Sequence, residues 1–358
     1  MQLHARTRKS AWLLAEEPPA FETEAVPVAP PPPLSALYDA AAYRAMNADV
    51  ARTAAYEAAL EAALGRAAHA SALFILDVGC GALLTLTRQV RRLAARVRPD
   101  LRIIALAFDG NGAAARRAAM DAPPDVTVLH LMSGELTRSH LEMAGWVVGM
   151  RLLVMMETAG FLAGVEGAAA TCNDVVRVAA PHISDFVAAA QFSEALPIHL
   201  RVEEIEPKLG LRWAQGSHVL LGGYASASQE RLWGGFKAVE ELDFRRGAQA
   251  MEQTREAVFT ANAHARVNAV LFRVVLDCAE GGRVVAGATP RSNWELLVVL
   301  LPYELPVEPG ESVRLVLRSN YTPVGGAAYV VWFQHAAAVH VVALRRPYLT
   351  YAPVYIMR

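Results

Sequence analysis

Ala72-Leu-Phe-Ile-Leu-Asp-Val-Gly79-Cys-Gly81 decides how the chain is read. Seven residues, apolar except for Asp77, are too few for a helix and lack the alternation of a half-solvated strand. They read as a central strand buried on both faces. Gly-Cys-Gly then turns the chain tightly, and a helix is expected over 85–97. Leu101 to Phe108 repeats the buried-strand pattern, with a helix over 111–120 after it. Val126 to Met132 and part of Trp146 to Met156 supply two more strands. Strands that alternate with helices specify an open, doubly wound α/β sheet.

Upstream, the alanine-rich segment 36–66 favours one or two helices. Residues 1–33 end in the run Pro30 to Pro33, which cannot join a helix and is expected to be a disordered, proline-rich arm. Arg6, Arg8 and Lys9 are followed by Glu16 and Glu17 with no apolar core between them, so a signal peptide is not expected. Beyond Pro181 the pattern changes. Phe186–Phe192, His218–Leu221, Val267–Leu276, Ser312–Leu317 and Tyr329–Phe333 read as strands separated by Gly and Pro turns. A mainly antiparallel β domain is expected over 181–358, after an α/β domain over 34–180.

With 54% hydrophobic and 19% charged residues, the chain can bury a large core. Its formal net charge of −1 supplies no basic surplus, which weakens non-specific nucleic-acid binding, although an uneven surface could still hold RNA. The most apolar stretch, Trp146 to Cys172, is broken by Arg151, Glu157 and Glu166 and by several glycines, so no membrane span is expected. Cys80, Cys172 and Cys278 are widely spaced and odd in number; neither a disulfide framework nor a metal site is expected, and a cytoplasmic location fits.

Two places have the chemistry of a site. Gly79 and Gly81 let backbone approach a ligand, and the helix after them favours anionic groups; a ligand-free strand-to-helix turn accounts for the same residues. Glu157 and Glu166 flank a glycine bend after the fourth strand. Two convergent carboxylates suit a guanidinium fork, while two ordinary surface glutamates are the plainer reading.

Four motifs occur in order: Arg52-Thr53-x-x-Tyr56, Leu76-Asp-Val-Gly-Cys-Gly81, the Glu157 and Glu166 pair, and Ser292-Asn293-Trp294. With the closing Pro353-x-Tyr355-x-x-Arg358, they resemble protein arginine methyltransferases of type I character from about Leu34 onward. The resemblance implies a Rossmann-like S-adenosylmethionine-dependent methyltransferase domain followed by a β-barrel-like domain carrying a helical dimerisation arm, here at about 205–240. Arg52 would meet the methionine carboxylate, with Gly79 and Gly81 bordering it. Glu157 and Glu166 would hold a substrate arginine, whose nitrogen displaces the sulfonium methyl.

The departures from that pattern are specific. The third glycine of the turn is Leu83, expected to crowd the cofactor or the helix start. Ala107 stands where an acid should take the ribose hydroxyls; Asp109, two residues on, is either a displaced ribose ligand or a loop aspartate. Asn293 replaces a histidine that would pair with Asp49, and cannot take up a proton near neutral pH. Of the aromatic lid helix only Tyr38 and Tyr43 remain, expected to close a pocket poorly.

The chain is therefore most similar to the degenerate regulatory prozyme class of trypanosomatids. Such a subunit binds S-adenosylmethionine weakly or not at all, and assembles with an active arginine methyltransferase paralogue through which protein arginine substrates are modified. Leu209, Trp213, Leu232, Trp233 and Phe236 would be apolar anchors of the arm, or ordinary core. Two other functions fit the residues: an active methyltransferase with a divergent pocket, and an RNA-binding scaffold.

Overall fold

The computed structural model describes residues 40–67, 69–132, 135–156, 184–187, 190–200, 218–222, 227–243, 252–278, 282–285, 296–320, 328–336, 338–345 and 354–355. The chain divides into two units, Met1–Pro30 and Pro31–Arg358, and every described residue belongs to the second.

The α/β half runs α1 (Ala40–Asn47), α2 (Val50–Arg66), β1 (Ala72–Val78), α3 (Thr85–Val97), β2 (Arg102–Asp109), α4 (Gly112–Met120), β3 (Val126–His130), α5 (Arg138–Met143), β4 (Arg151–Met156) and β5 (Ser184–Phe186). Its five strands are parallel, in the order β3-β2-β1-β4-β5. Every residue of β1 after Ala72 is buried, as a strand covered on both faces requires. In α3, Leu86, Val90, Leu93 and Ala94 fall on one side and are buried, so this helix covers the sheet with a single apolar stripe. Beneath it, Thr87 donates to the buried carboxylate of Asp77 at 2.5 Å, which satisfies the one charge within β1. Arg98 ends the helix just before Pro99, because the residue preceding proline is pushed out of the α region.

Pairing becomes mainly antiparallel after β5. The remaining elements are β6 (Ala190–Ile198), β7 (His218–Gly222), α6 (Ala227–Trp233), β8 (Lys237–Asp243), β9 (Glu252–Thr260), β10 (Ala265–Asp277), β11 (Arg283–Val285), β12 (Leu296–Val307), β13 (Ser312–Asn320), β14 (Ala328–His335), β15 (Ala338–Arg345) and β16 (Val354–Tyr355). One sheet has the order β16-β7-β12-β10-β6-β8, with β11 on β10; a second has the order β15-β14-β13-β9. The two are tied where Gln253 accepts the Glu241 amide at 3.0 Å and donates to the Glu241 carbonyl at 2.7 Å.

The strand expected over Phe186–Phe192 is two strands in two sheets. Ser184–Phe186 pairs in parallel with β4, whereas Ala190–Ile198 pairs antiparallel with β10 and β8. The parallel sheet thus extends past residue 180, where the sequence reading places the change. Local β-propensity is the same on both sides of that break, so only strand pairing separates them.

Of the two readings the sequence leaves for Trp233, the structure takes the core one. Trp233 is 2% exposed and belongs to the main core, with Leu232 and Phe236 packed against that core. Phe236 carries the Arg273 guanidinium 3.6 Å above its ring centroid. Within this chain Trp233 is thus core, with its indole N–H buried and without an acceptor among the described residues. Leu209 and Trp213 lie outside the described residues.

Candidate cofactor and substrate site

The strand order reverses between β1 and β4, and in an open α/β sheet ligands enter the crevice at the carboxyl ends of the strands there. Those ends are Val78, leading into the glycine turn, and Met156, leading to Glu157.

Gly79 and Gly81 take positive φ of 70° and 62°. The amides of Gly79 and Cys80 both donate to the Phe108 carbonyl, at 2.9 and 3.0 Å, so the turn coils against the end of β2. Asp109 completes this lock. It is buried; its Oδ2 accepts the Gly81 amide at 2.9 Å and its Oδ1 the Asn111 amide at 2.7 Å. Burial raises its pKa above the ordinary aspartate value, against the opposing pull of the two amides and of nearby His130. Asp109 is thus the last residue of β2 and a buried tie between turn and strand. Ala107, on the same face of the strand, is wholly buried and packs with Cys80, Leu84 and Ala118.

Tyr43 of α1 lies over the turn. A Cβ on Gly81 would stand 2.9 Å from its Cε1, and the Asn111 amide group donates to its hydroxyl at 3.4 Å. The Tyr43 ring thus meets the backbone of the turn directly. Leu83 corrects an expectation. It is 36% exposed at an outer cleft, whereas Leu84, in the left-handed region at φ 51°, is the leucine that turns inward. The missing glycine therefore does not crowd the crevice with a leucine side chain.

Asp49 is the N-cap of α2, and its Oδ1 accepts the Arg52 amide at 3.2 Å. The buried Arg52 guanidinium donates to the Met46 carbonyl at 2.9 Å, drawing the end of α1 onto α2. One turn further along, the Tyr56 hydroxyl donates to the Met156 carbonyl at 3.0 Å. Gly79, Gly81 and Asp109 are thus gathered at the ends of β1 and β2, while Arg52 and Asp49 meet each other at the start of α2. Glu157, Glu166 and Asn293 lie outside the described residues. Sequence reasoning passed over Asn111; the signal was an Asn at a helix start, where its side chain accepts the amides of Ala113 and Ala114. Among the described residues no cluster of His, Cys, Asp and Glu could hold a metal ion.

A parallel sheet ending in a glycine turn, followed by β-rich structure, defines a Rossmann-like α/β fold with a second, β-rich part. No family model and no curated protein sequence matches the chain. Solved structures do. The Trypanosoma brucei PRMT1 enzyme–prozyme heterotetrameric complex with AdoHcy superposes at a TM-score of 0.65 and 15% identity, over 87% of this chain and all of that one. PRMT6 superposes at 0.57 and 13% identity, over 82% of this chain and 98% of that one. At such identities the likeness is one of fold.

Proposed function

We propose that this chain is a protein arginine methyltransferase homologue that does not bind S-adenosylmethionine effectively alone and acts as a regulatory subunit of an active paralogue. The observation that carries the reading is the filled glycine turn. A nucleoside cofactor in this crevice needs open backbone at the turn and an acid free to take two ribose hydroxyls. Tyr43 stands on Gly81, and both oxygens of Asp109 already accept backbone amides. Ala107 offers no acid. The residues present do not fit the cofactor, and no chemical step is assigned to them. The enzyme–prozyme pairing in the complex superposed above supports the partner side of this reading. Buried free thiols at Cys80 and Cys278 suit a cytoplasmic subunit.

One observation favours an active enzyme instead. The Tyr56 bond to Met156 fixes the chain one residue before Glu157, which would serve a substrate loop holding an arginine between Glu157 and Glu166.

Calorimetric titration of S-adenosylmethionine into the isolated chain, and into the chain mixed with an active arginine methyltransferase, separates the two readings. The regulatory reading expects no micromolar binding by the isolated chain and higher methylation by the mixture. Micromolar binding to the single chain, with product formed in its absence of a partner and lost in Glu157→Gln, establishes the enzyme.

A further inference from the structure

We infer that the free edge of the parallel sheet, strand β3, is a pairing surface for a second copy of this chain, which joins it antiparallel across a twofold axis at Val128. The inference rests on backbone groups at the sheet edge, and it stands apart from the cofactor crevice and from any paralogue.

Strand β3 ends the five-stranded order and is hydrogen-bonded to β2 alone. The Ala105 amide donates to the Asp125 carbonyl at 2.9 Å, and the Leu131 amide to the Asp109 carbonyl at 3.2 Å. A ladder alternates along the strand. Asp125, Thr127, Leu129 and Leu131 therefore address β2, while Val126, Val128 and His130 turn their amides and carbonyls outward. The Val126 amide is taken by the Pro123 carbonyl at 3.2 Å. The Val126 carbonyl and both backbone groups of Val128 and His130 meet no partner among the described residues. Another extended backbone presents donors and acceptors at that two-residue repeat, which fixes the occupant as a strand.

The side chains leave this edge unguarded. Exposed edges are ordinarily blunted by charge, by proline or by a bulge. Val126-Thr-Val-Leu-His130 contains no Lys, Arg, Asp, Glu or Pro, and its pairing with β2 runs without a register shift. Strand β8, at the end of its own sheet, is the contrast. It carries Lys237, Glu240, Glu241 and Asp243, and the Gln253 side chain caps the Glu241 amide and carbonyl.

The register selects a copy of the chain as the occupant. With the axis at Val128, that residue exchanges both bonds with the partner's Val128, and the His130 amide donates to the partner's Val126 carbonyl. Thr127 then stands opposite the partner's Leu129, and such β-branched and apolar pairs are what stabilise a sheet. Asp125, the charged residue next to the strand, meets the partner's Leu131 and is already held by Arg102 at 3.2 Å. No like charges face each other. A charged foreign strand gains no ion pair from β3, whereas the copy matches it without one.

The test uses the full chain in sedimentation velocity over about 1 to 100 μM. A reversible dimer is expected, weakened about tenfold or more by Val128→Pro, which removes an outward amide and no bond to β2. Val128→Cys changes the side-chain volume little and brings two thiols together on the axis. Under mild oxidation it is expected to link two chains, while Val148→Cys, at a residue 74% exposed in the turn before β4, does not. Should Val128→Pro fail to fold, the cysteine pair decides alone. A monomer across the whole range, a dimer that folded Val128→Pro leaves unchanged, or cross-linking by Val128→Cys no faster than by Val148→Cys overturns the inference.

Discussion

The ring of Tyr43 rests on Gly81, so close that a Cβ at residue 81 would stand 2.9 Å from Cε1 and 3.0 Å from Cδ1. Gly81 also has φ of 62°, a conformation that costs other residues free energy. Gly81→Ala therefore carries two penalties, backbone strain and displacement of α1. We expect a loss of about 1–3 kcal/mol in urea unfolding, with α1 amides exchanging faster. Wild-type stability in this variant would mean that Tyr43 does not lie on the turn.

Asp109 links the turn to β2, and its titration has a definite sign. Its folded pKa is raised by burial, so the folded chain holds this proton more tightly than the unfolded one. The contribution to stability is fully present below the unfolded pKa and is lost as pH rises through the folded pKa. Above that point the buried charge is a constant cost. In Asp109→Asn this part of the pH dependence disappears, which unfolding curves of the two proteins between pH 3 and neutrality, matched for ionic strength, will show as a difference that shrinks toward acid.

Tyr56→Phe removes the donor to Met156 and leaves a buried carbonyl without that bond. The expected cost is about 1–2 kcal/mol, read as a lower urea midpoint with an unchanged slope. Hydrogen exchange should speed up at the end of β4 and leave β13 and β14 unaffected. A uniform change across the chain would place the effect elsewhere.

Trp233→Ala distinguishes core from interface in the isolated chain. A side chain 2% exposed within the main core should cost about 3–5 kcal/mol when truncated. If the chain by itself keeps its unfolding midpoint and loses only association with a methyltransferase partner, Trp233 is a docking residue after all.

Much of the α/β half is legible along the chain because burial on both faces writes itself into sequence. Seven residues without a polar break except Asp77 specify β1, and the helix expected over 85–97 is the helix that forms, bounded by the glycine turn and Pro99. These signals are local: periodicity, turn chemistry and the restriction before proline act within a few residues. The antiparallel strands β10, β13 and β14 are legible for the same reason. Strand β9 is not, because its exposed face carries Glu252, Thr254 and Glu256, which dilute its apolar pattern.

The state of the site is decided by contacts that no local pattern encodes. The sequence places Asp109 beside the turn and leaves two roles open. The pairing of β1 with β2 brings its carboxylate to Gly81, 28 residues earlier, and makes it a tie. Which leucine turns inward depends on a single left-handed residue at Leu84, and a shift of one position exchanges Leu83 and Leu84 between solvent and core. Tyr43 reaches Gly81, and Trp233 the core, only because elements distant in sequence pack together. Sequence alone determines which segments are strand or helix and where a crevice must open, since these follow from periodic burial. Whether that crevice is open or filled follows from long-range packing, in which the same hydrogen-bonding groups can serve a ligand or the chain itself.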